Sequence, residues 1–365
     1  MNVSTPTQFR EKIRFLAQFK QRPLTLRQIY EFGLKRSAEI LLQEAQFLHQ
    51  ELRVRLAHRV RDLETLPFGL SEMPSVQLLR EMYSGSLMDL VEFPRPESNR
   101  DEERFTELLE NIKQRHNNVV SIMSRGILEL KEMLGPDALQ PEIREFLDRF
   151  YLSRIGIRML IGQHLALHAE PRPGYVGLIC SKCCPAEVLE EATRNAQSLC
   201  DFHYGASPSV RVMGNVALTF TYIPSHLHHM LFELLKNSMR AVVELNGADS
   251  PSLPEIRVAI ARGQEDVTIK ISDEGGGIPR SGVARIWTYL YTTARPTTIE
   301  LNSPYQSDFH APMAGLGYGL PISRLYARYF GGDLQVISME GFGTDAYLHL
   351  KRLGDEKEVV PRTLH

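Results

Sequence analysis

Four short segments in the second half of this 365-residue chain carry residue types that could bind a nucleotide. The first is an acidic and amide stretch, Glu233–Arg240. Three glycine-rich turns follow it, in the order Asp273–Gly277, Gly315–Leu320 and Gly341–Asp345. Each turn alone would be weak evidence, because glycine is common in every kind of tight turn. Their order and spacing together predict an ATP site.

The first segment has the apolar spacing of a helix, on which residues four apart share a face. His229, Glu233 and Asn237 lie on one face, and Lys236 and Arg240 lie beside them. Asn237 offers a neutral amide oxygen, which suits an Mg²⁺ ion that keeps most of its waters and takes few protein ligands. Glu233, one turn earlier, can hold a water or a substrate hydroxyl near the terminal phosphate and accept its proton. These residues predict a general base and a magnesium ligand on one helix.

Asp273 ends a predicted strand and begins the second segment. A carboxylate at that position can accept a hydrogen bond from the amino group of adenine, and leaving it unpaired costs about 1–3 kcal/mol. Gly275 and Gly277 have no Cβ, so the backbone can pass close to the base. A plain tight turn would use the same glycines, and only the other segments favour adenine recognition.

The third segment, Gly315-Leu316-Gly317-Tyr318-Gly319-Leu320, leads into a predicted helix that Pro321 opens. Backbone amides at a helix N-terminus attract anions, so this turn predicts a phosphate cradle. It lacks the surrounding βαβ unit of a dinucleotide fold, and the chain contains no Gly-x-x-x-x-Gly-Lys-Ser/Thr loop. The fourth segment places Thr344 directly after two glycines and completes the predicted nucleotide site.

A long segment, 291–313, separates the adenine turn from the phosphate turn. It contains three prolines and many serine, threonine and asparagine residues. A structureless segment of this length inside a compact domain is usually either disordered or a functional lid. Its position between two nucleotide-binding turns predicts an ATP lid.

The first half of the chain has the spacing of long amphipathic helices joined by short turns. Proline and glycine residues set most of their predicted ends. The four predicted helices cover residues 37–66, 76–91, 101–134 and 141–168. Four such helices favour an antiparallel bundle. The Pro/Gly cluster at 171–174 predicts a boundary between a helical domain, 1–173, and a second domain, 174–365.

The second half of the chain mixes helices with short strands. The predicted strands cover residues 210–212, 217–220, 256–260, 267–271, 334–338 and 346–350. The last four form two hairpins, and the first hairpin delivers Asp273 at its end. This pattern predicts an α/β sandwich, one mixed sheet with helices stacked on one face. The whole chain is therefore expected to be of the α+β class, a four-helix bundle followed by this sandwich.

Composition limits the partners of the protein. The formal charge of −2 and the pI near 6.7 give no reason to expect nucleic-acid binding. No apolar run approaches the roughly 18 residues that a membrane span needs, so we expect a soluble protein. Four cysteines do not make a disulfide framework. The cluster Cys180-Ser-Lys-Cys183-Cys184 predicts reduced thiols, with a metal site as the alternative.

The first thirty residues are basic. They contain one acid, Glu11, and six lysine or arginine residues. This composition fits a mitochondrial presequence and equally fits a basic surface helix that begins the fold.

The four segments resemble the GHKL ATPase fold shared by histidine kinases, the Hsp90 chaperones, DNA gyrase and MutL. Longer sequence segments narrow the resemblance to the mitochondrial pyruvate dehydrogenase kinases of the plant type. These longer segments are Arg115–Val119, Phe146–Leu160, Pro224–Glu233 and Tyr318–Ala327. The resemblance runs from about Leu24 to Leu353, nearly the whole chain.

The resemblance implies a protein serine kinase of the mitochondrial matrix that phosphorylates, and so inactivates, the E1α subunit of the pyruvate dehydrogenase complex. Mg-ATP would be its phosphate donor, and K⁺ is a further cation that the protein could bind. The lipoyl domain of the E2 core is an implied partner, and a homodimer is expected. Animal enzymes exchange a C-terminal tail with an Asp-Trp pair between subunits, whereas the only tryptophan here is Trp287. Dimerisation through the sheet is therefore the expected alternative.

The resemblance also implies catalytic roles. His116 would reach in from the bundle to adjust Glu233, and His229 and Lys236 are further expected catalytic residues. The additional nucleotide-binding residues that it implies are Arg240, Thr292 and Thr293, the last two in place of a Ser-Thr pair.

A regulatory site in the bundle is a further implication. A small carboxylate inhibitor of the pyruvate type is expected to bind near Tyr83, Arg154, Arg158 and His116. From the sequence alone, a solvated helix face explains Arg154 and Arg158 equally well.

Three other functions fit parts of the pattern. A branched-chain ketoacid dehydrogenase kinase would share the mechanism, and only the closer match of the longer segments favours pyruvate dehydrogenase. A two-component histidine kinase needs a phosphate-accepting histidine followed by an acid and a proline, whereas His116 precedes Asn117-Asn118. A chaperone-like ATPase would hydrolyse ATP without transferring phosphate to a protein.

Overall fold

The computed structural model describes residues 6–135, 140–291 and 317–361 of the chain. Its first half is helical and its second half combines helices with sheets, which confirms the predicted α+β class. The helices of the first half are α1 (Pro6–Leu16), α2 (Leu26–Gly33), α3 (Ala38–Glu64), α4 (Pro74–Glu92), α5 (Asn99–Arg115), α6 (Val119–Leu134) and α7 (Pro141–His168), with a 3₁₀ segment at Pro67–Glu72. Helix α3 packs against α1, α4, α5 and α7 and forms the centre of the bundle.

Capping side chains explain where several of these helices begin. The Ser98 hydroxyl accepts a hydrogen bond from Asp101 N at 3.2 Å, and Asp101 Oδ2 accepts one from Ser98 N at 3.1 Å. This reciprocal cap begins α5. Ser37 begins α3 by accepting from Ile40 N at 3.3 Å. Proline occupies the first position of α4 and α7, where a helix has no use for its missing N–H.

The prediction of a single helix over residues 101–134 is wrong. It consists of α5 and α6, separated by a break at residues 116–118. Apolar spacing does not reveal the break, because both helices bury one face in the same core. The buried apolar residues of these faces are Phe105, Leu109, Ile112, Val119, Met123, Ile127 and Leu130. The break presents backbone carbonyl groups to α7, which no uninterrupted helix would do.

Among the described residues, the second half forms two sheets and not the single mixed sheet that the sequence predicts. Its elements are β1 (Tyr175–Val176), β2 (Ile179–Cys183), α8 (Pro185–Tyr204), β3 (Val210–Gly214), β4 (Phe220–Tyr222), α9 (Pro224–Asn246), β5 (Ile256–Arg262), β6 (Asp266–Asp273), α10 (Arg280–Val283), α11 (Gly319–Tyr329), β7 (Asp333–Met339) and β8 (Gly343–Lys351). The small sheet has the order β1-β2-β4, and the large sheet has the order β3-β5-β6-β8-β7. A strand as short as β4 carries too little pattern to specify its partner, so its assignment to a separate sheet was not predictable.

The large sheet carries the predicted hairpins. Strand β5 pairs antiparallel with β6, β7 pairs antiparallel with β8, and β3 runs parallel to β5. Helix α9 packs on β6, and α11 packs on β7 and β8. Asp273 at the end of β6 lies opposite Thr344 of β8, so two predicted site residues become neighbours.

The segment 171–174, where the sequence predicts a domain boundary, lies between α7 and β1. Gln163 of α7 donates a hydrogen bond to Val176 O at 3.1 Å and accepts one from Leu178 N at 2.9 Å. The first strands of the second half are therefore tied to the bundle. The division into 1–173 and 174–365 stays a prediction.

The basic N-terminal region contributes to the core within the described residues. Ile13 and Leu16 of α1 are buried, and α1 packs against α3. In the described parts of the chain, no helix has both the length and the apolar character that crossing a membrane requires. The four cysteines form no disulfide, and burial raises the pKa of Cys183 to about 12.

Candidate active site

A cavity of about 500 Å³ opens between α9, the ends of β6 and β8, and the N-terminus of α11. Ligand pockets usually enclose roughly 300–1,000 Å³. The predicted residues that line the cavity are Glu233, Lys236, Asn237, Arg240, Asp273, Gly275, Gly277, Gly317, Gly319, Leu320 and Thr344. The fold thus brings residues from all four predicted segments together around one cavity.

Asp273 is almost fully buried at the floor of this cavity. Its Oδ2 accepts a hydrogen bond from Ser238 Oγ at 2.8 Å. Its Oδ1 accepts from Gly275 N at 3.0 Å and from Thr344 N at 3.3 Å. Burial raises the pKa of Asp273, and the three donors act against that shift. A carboxylate has about four acceptor sites, so Oδ2 can accept one further donor such as an adenine amino group. Sequence reasoning missed Ser238, which no motif distinguishes.

Gly275 and Gly277 are required by the packing of the chain as well as by the cavity. A Cβ on Gly275 would meet the Cβ of Ala241 in α9 at 2.5 Å. Gly277 has a φ of +69°, and a Cβ there would overlap the backbone of Met339. The adenine turn is therefore enclosed between α9 and the turn that joins β7 to β8.

The carboxylate of Glu233 lies against the first residue of α11. A Cβ on Gly319 would overlap Glu233 Oε2, and Glu233 is only 5% exposed. Lys236 Nζ lies 2.9 Å from the carboxylate oxygens and is itself buried. The ammonium group and the amides at the helix N-terminus compensate the buried negative charge. Because α11 begins at Gly319 and not at the predicted Pro321, the phosphate turn directly faces the predicted base.

Asn237 and Arg240 continue the wall of the cavity along α9. Asn237 is partly exposed to the cavity, so its amide is accessible to a cation or to water. Arg240 Nε donates to Glu244 at 2.7 Å. Along this helix the cavity meets a carboxylate, an ammonium group, an amide and a guanidinium group in turn. Such a series suits the phosphates and the metal ion of a nucleotide.

Two histidines that the sequence predicts as catalytic do not line the described part of the cavity. The ring of His229 packs 4.9 Å from that of Tyr326 in α11. His116 lies at the helix break, and its Nε2 is 3.0 Å from Ser86 Oγ. The described contacts of His116 join it to α4 and α7 and not to Glu233. Any influence of His116 on Glu233 must therefore pass through other residues.

A tyrosine cluster on α7 holds both ends of the segment that contains the predicted lid. Tyr289 and Tyr318 have ring centroids 5.2 Å apart, and they lie 5.5 and 5.8 Å from Tyr151. The Tyr289 hydroxyl donates to Asp148 Oδ1 at 2.6 Å. Tyr318 thus supports the cavity wall and does not line it. The remaining predicted residues, which lie outside the described residues together with the lid itself, are Thr292, Thr293, Gly315 and Leu316.

The predicted inhibitor residues also come together, around the break between α5 and α6. Arg154 Nη2 donates to the carbonyl groups of His116 at 3.4 Å and Asn117 at 3.5 Å. Arg158 Nη1 donates to Asn117 Oδ1 at 3.3 Å, and the Tyr83 ring lies 4.4 Å from that of His116. Arg154 is buried, which excludes the solvated helix face for this residue, whereas Arg158 is partly exposed.

Burial keeps the other two groups of this site neutral. It lowers the pKa of His116 to about 4 and raises the pKa of Tyr83 to about 12. Two guanidinium groups therefore set the charge of the site near pH 7. A positively charged site suits a small carboxylate, which guanidinium groups bind by charge-assisted hydrogen bonds.

Comparisons with known families match both halves of the chain. Residues 23–180 match a family described as mitochondrial branched-chain alpha-ketoacid dehydrogenase kinase. Residues 222–353 match a family described as histidine kinase-, DNA gyrase B-, and HSP90-like ATPase. The second match contains all the described lining of the cavity. Fold and site together define a kinase with an ATP-binding domain of the GHKL class.

Whole proteins are similar over nearly the full chain. A mitochondrial pyruvate dehydrogenase (acetyl-transferring) kinase of Arabidopsis thaliana is 52% identical over 343 residues, 94% of this chain and 93% of that protein. Isozyme 4 of this kinase from Mus musculus is 41% identical over 367 residues, 97% of this chain and 87% of that protein. The kinase of Schizosaccharomyces pombe is 37% identical over 415 residues, 95% of this chain and 97% of that protein. This chain belongs to the family of mitochondrial pyruvate dehydrogenase (acetyl-transferring) kinases, which confirms the resemblance seen in its sequence.

Proposed function

We propose that the protein is a serine kinase of the mitochondrial matrix that uses Mg-ATP to phosphorylate the E1α subunit of the pyruvate dehydrogenase complex. This phosphorylation would inactivate the complex. The observation that carries the proposal is the position of Glu233, a buried carboxylate held by Lys236 against Gly319 at the start of α11. Because a helix N-terminus suits phosphate groups, a serine hydroxyl at the mouth of this cavity would meet phosphate and base together.

Asp273 gives the cavity its specificity for the base. Three donors fix both carboxylate oxygens, and Oδ2 can accept the amino group of adenine. Guanine would present a carbonyl oxygen at the corresponding position. That would leave two acceptors facing each other and an unmade hydrogen bond, a cost of about 1–3 kcal/mol.

Phosphoryl transfer depends mainly on positioning and on charge. Glu233 accepts the serine proton while the bond from the serine oxygen to the γ-phosphorus forms and the bond from that phosphorus to the bridging oxygen breaks, so that ADP leaves. Lys236 keeps the Glu233 carboxylate in place. The amide oxygen of Asn237 fits a magnesium ion, which when bound neutralises charge that develops on the phosphates. His116 and His229 act at most by positioning residues of α9. A role for K⁺ stays a prediction.

The partners of the proposed kinase fit three surfaces outside the nucleotide cavity. The cationic site around Arg154 supports binding of a pyruvate-type carboxylate. A second cavity of about 320 Å³, lined by Phe15, Phe19 and Phe47 among others, supports docking of an apolar arm such as that of a lipoyl domain. Edge strand β7 exposes Ile337, which supports a homodimer formed through the large sheet.

The proposal is tested with labelled ATP and purified E1 from the pyruvate and the branched-chain dehydrogenase complexes. We expect phosphoserine on the pyruvate dehydrogenase E1α subunit. Glu233→Gln should bind ATP about normally and transfer phosphate about 10²–10⁴-fold more slowly, the usual share of a general base. Asn237→Ala should instead weaken Mg-ATP binding itself. Glu190→Gln, an exposed change on α8, is the control and should behave as wild type.

The other outcomes separate the alternatives. Label on the branched-chain E1 alone would favour that second function, which the family match of residues 23–180 supports. ATP hydrolysis without labelled protein would indicate a chaperone-like ATPase. Full transfer activity in Glu233→Gln would mean that the base is not Glu233.

A further inference from the structure

A second group of chemically active side chains lies in the bundle, on helices that do not line the nucleotide cavity. Glu102 of α5 and His164 and His168 of α7 bring one carboxylate oxygen and two imidazole nitrogens within 4.8 Å of one another. The two histidines are four residues apart, so their rings lie on the same side of α7. In the described parts of the chain, this is the one grouping of three such ligand atoms. The proposed kinase function uses none of the three residues.

Five of the six distances among these three atoms and Thr106 Oγ1 are close to those of a tetrahedral metal site. Glu102 Oε1 lies 3.4 Å from His164 Nε2 and 2.8 Å from His168 Nε2. Thr106 Oγ1 lies 2.9 Å from His164 Nε2 and 3.4 Å from His168 Nε2. It is also 3.1 Å from Glu102 Oε1. Zinc binds imidazole nitrogen at about 2.0–2.1 Å in a tetrahedron, which separates neighbouring ligand atoms by about 3.3 Å.

The surroundings of His164 are those of a metal-bound imidazole. Its second nitrogen, Nδ1, lies 3.3 Å from Glu44 Oε2 of α3. Metal-bound histidines usually donate this N–H to a carboxylate, which fixes the tautomer and the orientation of the ring. Glu44 and Glu102 are both buried, and their carboxylates lie next to the two nitrogens of this ring. The side chain of His168 is 26% exposed, which gives an ion a path from solvent.

We propose that Glu102, His164 and His168 bind one Zn²⁺ ion, with Thr106 or a water molecule as the fourth ligand. A small set of nitrogen and oxygen ligands favours zinc over Mg²⁺ or Ca²⁺, which take six or more ligands that are almost all oxygen. The ion ties α5 to the last turn of α7, and the hydrogen bond from His164 to Glu44 ties both helices to α3. The site is a structural clip of the bundle, and it stands independently of the kinase activity.

The test uses the full chain, stripped of metal with a chelator and then titrated with Zn²⁺ by calorimetry. We expect one bound Zn²⁺ per chain and a thermal midpoint that rises when zinc is added. Co²⁺ in place of zinc should give the visible absorption of a four-coordinate site without thiolate bands. His168→Ala should weaken zinc binding by at least about 100-fold, and Glu44→Gln, which keeps every ligand, by about 10–100-fold.

Matched controls decide between this site and a chance one. His203 occupies the last turn of α8 as His168 occupies the last turn of α7, and His203→Ala should bind zinc as wild type does. Cys184→Ser tests the partly exposed cysteine, and it should leave the zinc equivalent in place. Circular dichroism checks that each metal-free variant is folded, and Glu102→Gln replaces His168→Ala if the latter is not. A wild-type chain without stoichiometric zinc, unchanged affinity in the folded ligand variant, or loss of the ion in Cys184→Ser would overturn the proposal.

Discussion

The nucleotide cavity and the arginine-lined site at the helix break are built in opposite ways. The cavity is made largely of backbone turns, a strand end and a helix N-terminus, and all its lining residues fall within 233–346. The site at the break takes single side chains from α4, from α7 and from the turn between α5 and α6. Backbone conformations that only glycine tolerates leave a motif in the sequence. Ordinary side chains of separate helices leave none, because they meet only after folding.

The two sites also differ in the charges that they bury. The cavity buries the carboxylates of Asp273 and Glu233, each held by donors, together with the ammonium group of Lys236. The deepest charged group at the break is the guanidinium of Arg154, held by backbone carbonyls next to the neutral groups of His116 and Tyr83. Under the proposed function, the buried Asp273 carboxylate would make the cavity select a donor group of the ligand, and the buried Arg154 guanidinium would make the break select an anion.

The largest expected effect comes from removing the buried carboxylate of the cavity. Asp273→Ala should lower ATP affinity by about 10–150-fold, because the one hydrogen bond from adenine to this charged group is worth about 1.5–3 kcal/mol. Asp266→Ala, at the other end of β6, is the control and should bind ATP normally. Nucleotide titration by calorimetry measures both variants. Unchanged affinity in Asp273→Ala would contradict the adenine assignment.

The corresponding change at the helix break should leave ATP affinity nearly unchanged. Arg154→Ala removes the buried cation, so inhibition by a pyruvate analogue should weaken by about 10–100-fold while ATP affinity stays nearly constant. Arg144→Ala, an exposed change on the same helix, should leave inhibition intact. Inhibition curves at fixed ATP concentration give the comparison. If Arg154→Ala is inhibited like wild type, the carboxylate binds elsewhere.

Acid should destabilise the protein through His116. Its pKa is about 4 in the folded protein and about 6.5 in the unfolded chain, so below pH 6.5 the unfolded state binds more protons. The stabilising contribution is thus present above pH 6.5 and is lost as the pH falls towards 4. The free energy of unfolding should fall by up to about 1.4 kcal/mol per pH unit from this residue, and His116→Gln should remove that part of the slope. Urea unfolding at several pH values measures it, and equal slopes for wild type and His116→Gln would show that the pKa of His116 is the same in the folded and unfolded states.

The smallest expected effect tests the tyrosine cluster that lies between the two regions. Tyr289→Phe keeps the ring and removes the hydroxyl that donates a hydrogen bond to Asp148. The free energy of unfolding should therefore fall by about 1–2 kcal/mol. ATP affinity should change by no more than a few-fold. Fluorescence of Trp287 reports unfolding of this region, and Tyr204→Phe, a more exposed tyrosine bonded to Glu244, is the control. Equal stability of Tyr289→Phe and wild type would mean that the cluster does not join the two halves.

The parts of the cavity that could be predicted are those in which the local backbone conformation requires one particular residue type. Asp273 ends a strand with strict alternation, and Gly277 has a backbone angle that other residues resist. The missed parts depend on distant partners. Ser238 follows Asn237 without a motif, and Tyr289 meets Asp148 across 141 residues of chain. The helix break was missed for another reason, since α5 and α6 bury their apolar faces in one core and keep the spacing of a single helix.

The sequence by itself determined the α+β class, the two hairpins of the large sheet and the four segments that line the cavity. Each of these follows from local rules, such as periodicity, turn chemistry and the freedom of glycine. Only the tertiary structure decided that β4 joins a separate sheet, that Arg154 is buried beside the helix break, and that Glu102 approaches His164 and His168. These outcomes depend on how helices and strands pack across long stretches of chain. Packing of that kind is set by the sum of many weak contacts, which no short pattern records.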